Sequence, residues 1–70
     1  MPAAPAVRDA FGSLTPEHRE VLTELYFRGN SVRRAAELLG IPPQAVTLRA
    51  YYALGSLRLA LAERGLTTRN

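Results

Sequence analysis

The chain has no cysteine, no lysine and a single histidine, and none of its apolar runs approaches the roughly 18 residues of a membrane span. Without cysteine there is neither a disulfide nor a thiolate metal site, so its 70 residues are expected to make one small domain held by packed helices. His18 stands between Glu17 and Glu20 at a helix start, where these side chains read as solvated polar positions rather than metal ligands. A Gly-rich phosphate loop and acids paired across a cleft are also missing, so no enzyme and no cofactor are expected. Three scattered tyrosines are too few for a platform that stacks single-stranded bases. The opening Met-Pro-Ala-Ala-Pro-Ala lacks the basic start and apolar centre of a signal peptide and reads as linker, which makes a cytoplasmic protein the expectation.

Charge is more telling in its distribution than in its total of +3. Residues 1–30 carry three arginines against four acids, a balance of −1, whereas residues 31–70 carry six arginines against two glutamates, a balance of +4. Arginine presents a planar fork to phosphate and guanine, so the basic half points to a polyanion partner. Preference for arginine over lysine is also what a GC-rich genome gives; the asymmetry between the halves is not explained that way.

The basic half contains Ser31-Val-Arg-Arg-Ala-Ala-Glu-Leu-Leu-Gly40-Ile-Pro-Pro-Gln-Ala-Val46-Thr-Leu-Arg49, two helices joined by a sharp turn. Ser31 is an N-cap, and Val32, Ala35, Ala36 and Leu39 form one apolar stripe at i, i+3, i+4 and i+7. Gly40 supplies the positive φ of a helix stop, and Pro43 suits the first position of the next helix. Small Ala36 lets the two helix backbones cross closely, and Val46 seals the crossing. Any tight helical hairpin shares this pattern, but with the charge it fits a unit that lays one helix in a DNA major groove.

The whole chain reads as four helices without a strand signal, an all-α domain ending in a long recognition helix. The first spans Pro5 to Phe11 and stops at Gly12; the second opens on Thr15-Pro16-Glu17 and runs to about Arg28. Val21, Leu22, Leu25 and Tyr26 are its apolar face, and Gly29-Asn30 closes it. The fourth is expected from Pro43 to about Arg64 with Gly65 as stop, burying Val46, Ala50, Ala53, Leu54, Leu57 and Leu61. Residues 1–6 and 67–70 read as tails around a domain of residues 7–66.

Three motifs in order resemble region 4, the C-terminal promoter-recognition domain of bacterial sigma factors, particularly the extracytoplasmic-function group. They are Leu14-Thr15-Pro16-Glu17-His18-Arg19-Glu20-Val21-Leu22, then Tyr26-Phe27-Arg28-Gly29-Asn30-Ser31-Val32, then Ala36-Glu37-Leu38-Leu39-Gly40-Ile41-Pro42. Arg49-Ala50-Tyr51-Tyr52-Ala53-Leu54 is similar to an aromatic version found in some members. The resemblance implies a non-enzymatic role in transcription initiation, with the last helix reading the upstream promoter element and the domain carried on the β-subunit flap of RNA polymerase. It also implies capture by an anti-sigma factor, with no membrane contact of the domain's own; the opening Met1 and linker suggest a fragment of a longer chain whose other domain recognises the second promoter element.

Carried over by position, Gln44, Thr47, Leu48, Arg49 and Tyr51 are the DNA-facing candidates, with Arg33 and Arg34 as phosphate contacts. Arg19 belongs to the first motif and is open to pairing with Glu20 or with a neighbouring helix. Where the family usually has Gly-Thr-Val-Lys-Ser-Arg, this chain has Gln44-Ala45-Val46-Thr47-Leu48-Arg49, which removes a basic residue from the reading surface. Arg34 likewise stands where the family often has glutamate.

On a helical wheel Leu48, Tyr52 and Leu59 fall within roughly 40° of one another, opposite the core face and beside Gly55. The stripe is short enough to be ordinary surface, but it also suits a protein that would hide Arg49, as an anti-sigma factor does. Two other readings are the helix-turn-helix output domain of a response regulator, which would lack the opening motif, and a helical protein-binding module with little DNA affinity.

Overall fold

The computed structural model describes residues 3–63 and 65, and among these it is helical with no strand. Helix α1 covers Ala3–Gly12, α2 covers Pro16–Leu22 and continues into a π-helical turn over Thr23–Phe27, α3 covers Val32–Leu39 and α4 covers Pro43–Glu63. Met1, Pro2, Arg64 and residues 66–70, among them the stretch 67–70 expected as a tail, lie outside the described residues. Helix α1 starts two residues before the expected Pro5, which proline tolerates because N–H groups in a first turn have no intrahelical acceptor.

Local signals set the helix ends. Thr15 is extended, at φ −66 and ψ 158, and its hydroxyl accepts the His18 N–H at 3.2 Å, leaving Pro16 free to lead α2. Ser31 repeats the arrangement for α3, accepting the Arg34 N–H at 3.0 Å. Gly40 takes φ +71; its N–H and that of Ile41 both reach the Ala36 carbonyl, at 2.9 and 3.1 Å. The Pro42 carbonyl then accepts from Ala45 and Val46, so α4 starts within three residues of the glycine.

The π turn is not visible in the α-helical spacing of the second segment. The Arg28 N–H reaches the Thr23 carbonyl at 2.9 Å, five residues back, and the Asn30 N–H reaches Glu24 at 2.9 Å, six back. Glu24 braces this end, accepting from Asn30 Nδ2 at 2.7 Å and pairing with Arg28 at 3.6 Å. A π turn takes in one extra residue, so the side chains after it are displaced by about 100° from the α-helical register. Tyr26, expected in the core, lies within this turn and is 60% exposed, and Phe27 beside it is 70% exposed.

Helix α4 is the spine, touched by each of α1, α2 and α3. The buried residues are Ala10, Leu14, Val21, Leu22, Ala35, Ala36, Val46, Ala50, Ala53 and Ala60. Alanine at most of these positions brings helix backbones close, and Val21 and Val46 are the largest side chains fully enclosed. Phe11, Leu25, Leu39, Ile41 and Leu57 pack around them. Leu54, expected in this core, is instead 37% exposed, and Val32 in the first turn of α3 is 38% exposed.

Candidate nucleic-acid interface

The hairpin of α3 and α4 places the leading turn of α4 outside. Val46 is fully buried against the crossing with Ala36, so side chains turned away from it must face solvent. Gln44, Thr47, Leu48 and Tyr51 are all exposed and fall at i, i+3, i+4 and i+7, a single outward stripe. Amide, hydroxyl, apolar and phenol groups together can address base edges and the thymine methyl in a major groove.

Arg49 does not share that stripe. It is half-buried and lies about 100° around the helix from Leu48, on the flank of α4, where a long guanidinium reaches outward more readily to a phosphate than to a base edge. Arg33 borders a groove of about 560 Å³ with Gly40, Ile41, Pro42 and Pro43, beside the start of α4. Arg34 donates to the Glu37 carboxylate at 3.0 Å. Both side chains of that pair are more than half exposed, so it is held by less than about 1 kcal/mol and a phosphate can displace it.

Leu48, Tyr52 and Leu59 are exposed along the outer face of α4, as the wheel expects. The Tyr51 and Tyr52 rings meet edge to face at 5.4 Å, and both border a shallow depression with Gly55, Arg58 and Leu59.

A second surface was not legible as such. Val7, Phe11, Leu22, Tyr26, Phe27, Leu54 and Leu57 line an open apolar groove of about 480 Å³ between α1, the π turn and α4. Phe27 meets Phe11 edge to face at 5.4 Å. The groove is the reason Tyr26 and Leu54 are apolar yet exposed. Its sequence signal was the Tyr26-Phe27 doublet at a helix end, two large rings about 100° apart in a domain whose core is built mostly from alanine.

A capped glycine turn, a buried crossing and a polar leading turn exposed on a long last helix define a helix-turn-helix domain. The profile of the family described as sigma-70, region 4, matches residues 10–59, from the end of α1 through most of α4, and the chain belongs to that family. The ECF RNA polymerase sigma factor SigL of Mycobacterium tuberculosis, in strains Erdman, CDC 1551 and H37Rv, is 43% identical to it over 61 residues. That stretch is 87% of this chain and 34% of SigL, so the chain spans about a third of the length of these curated relatives. The match decides between the two helix-turn-helix readings in favour of the sigma reading. Among the described residues, no helix is long and apolar enough to cross a membrane, and no three His, Cys, Asp or Glu residues are grouped to hold a metal.

Proposed function

We propose that this domain binds the upstream, −35-type promoter element in transcription initiation through the leading turn of α4. The observation that carries this is the outward stripe of Gln44, Thr47, Leu48 and Tyr51 braced from behind by the buried Val46. Gln44 pairs with adenine or holds a phosphate, Thr47 serves either, and Leu48 meets a thymine methyl. Arg33, Arg34 and Arg49 grip phosphates on the two sides of the groove. The role is binding, with no reaction catalysed, and its setting is the cytoplasm, where promoters and polymerase meet.

The groove beside Phe27 takes a hydrophobic helix of RNA polymerase, that of the β-subunit flap. It lies against α1 and the π turn, away from the leading turn of α4, so polymerase and DNA occupy different faces. An anti-sigma factor covers Leu48, Tyr52 and Leu59 and hides Arg49 with them, which holds the domain inactive. Selection from a pool of random duplexes tests the reading: a defined motif is enriched, and Gln44→Ala and Thr47→Ala each relax it at one or two positions. A pool that stays random after selection overturns it.

A further inference from the structure

The outer face of α4 carries a repeat that base reading does not require. Ala45, Leu48, Tyr52, Gly55, Leu59 and Ala62 follow one another at intervals of 3, 4, 3, 4 and 3, the a and d positions of a two-stranded coiled coil. Ala45 is half-buried and the other five are exposed, while Val46, Ala50, Ala53 and Ala60 point to the core on the opposite side. The seam is about 26 Å long at 1.5 Å per residue.

This seam is complementary to itself when reversed. An antiparallel copy, related by a two-fold axis level with the Ala53–Leu54 peptide, sets Ala45 against Ala62, Leu48 against Leu59 and Tyr52 against Gly55. Each of these is an a–d layer, as antiparallel pairing requires. The largest side chain of the seam thereby meets the position that has none, twice, and the space above Gly55 is open within 4 Å of where a Cβ would stand. Parallel pairing instead stacks Tyr52 on Tyr52 and leaves a void at Gly55. The flanks agree as well. Helical side chains lean toward their own N-terminus, so in the antiparallel pair Arg49 leans toward Glu63 of the second copy and Tyr51 toward Arg58. The first contact is an ion pair and the second a cation–π contact.

We propose that α4 pairs antiparallel with α4 of a second copy of this chain through this seam. A strip about 26 Å long and on the order of 10 Å wide covers roughly 250 Å² of each copy, less than half of what each partner contributes to a small stable interface. The dimer is therefore weak, and its association is expected only at high micromolar to millimolar chain concentration, roughly 0.1 to 1 mM. Leu48 lies in the seam, so pairing excludes promoter DNA and any inhibitory protein from that face. Only this consequence rests on the proposed function; the dimer itself does not.

Sedimentation equilibrium of the chain without DNA, from about 10 μM to 1 mM, tests the pairing. A monomer–dimer equilibrium is expected. Leu59→Glu and Gly55→Leu, both at exposed positions, weaken it at least tenfold with the helical circular dichroism unchanged. Glu63→Arg weakens it less, and adding Arg49→Glu restores it. Because the chain lacks cysteine, Leu48→Cys and Leu59→Cys variants also report direction: their mixture forms the 48–59 disulfide in preference to either same-residue disulfide. A monomer up to 1 mM, association that Leu59→Glu and Gly55→Leu leave intact, or dominant same-residue cross-links overturns the proposal.

Discussion

Arg19 and Leu14 are joined across the α1–α2 connection, the Arg19 guanidinium donating to the Leu14 carbonyl oxygen. The same nitrogen reaches the Gly12 carbonyl at 3.1 Å. One side chain thus satisfies acceptors at the end of α1 and in the loop after it, which fixes the angle between the two helices. This settles the role left open for Arg19: it clamps the loop and is not paired with Glu20.

Arg19→Ala is therefore expected to lower stability by about 1 to 2 kcal/mol, the range for losing hydrogen bonds from a charged donor. In a domain of this size that is a fall in Tm of roughly 5 to 15 °C by calorimetry. Arg19→Lys recovers part of it, because the ammonium keeps the charged donor but sits on a shorter stem than the Nη1 that reaches both carbonyls. An unchanged Tm for Arg19→Ala would mean that the connection is held by other contacts.

Two glycines separate backbone conformation from packing. At Gly40 and at Gly55 an added Cβ meets nothing within 4 Å, but Gly40 sits at φ +71. Gly40→Ala is expected to cost about 1 to 2 kcal/mol from the left-handed backbone alone. Gly55→Ala, inside α4, stabilises by about 0.5 to 1 kcal/mol. Urea denaturation of the two variants should move the midpoint in opposite directions.

Phe27 is mostly exposed, and its ring meets that of Phe11. Phe27→Ser is expected to cost no more than about 1.5 kcal/mol of stability and to weaken binding to core RNA polymerase at least tenfold, with affinity for duplex DNA unchanged. Parallel losses for both partners would mean that the groove is not a separate docking face.

Leu48→Asp places a charge at the leading end of the exposed Leu48, Tyr52 and Leu59 stripe without touching the core. It should weaken capture by an anti-sigma factor at least tenfold, about 1.4 kcal/mol by calorimetric titration. Unchanged affinity would remove this stripe from that interface.

The parts of this fold that were legible in the sequence are those decided within a few residues. Thr15, Ser31, Gly40 and Pro43 each satisfy or terminate a backbone hydrogen-bond pattern of their own turn, and all four do so in the structure. Tyr26 and Leu54 were misplaced because their exposure depends on relations across the fold. Tyr26 lies within the π turn, where the α-helical register no longer holds, and α1 and α4 stand far enough apart to leave a groove in front of Leu54. The candidate site divides the same way. The outward direction of Gln44, Thr47, Leu48 and Tyr51 follows from the helical period once Val46 is buried. The Arg34–Glu37 pair, the half-buried setting of Arg49 and the place of Arg33 beside the turn depend on side-chain placement that spacing does not specify.

The proposed role requires the exposed leading turn of α4, with its neighbouring arginines, to be a surface for duplex DNA. The most direct test is the affinity of the chain for promoter-length duplex across a series of salt concentrations. With Arg33, Arg34 and Arg49 on phosphates, log affinity should fall linearly with log salt at a slope of about −2 to −3, and Arg33→Ala should reduce that slope by about one. An affinity indifferent to salt, or no measurable binding even at low ionic strength, contradicts the account and leaves a helical module that binds proteins alone.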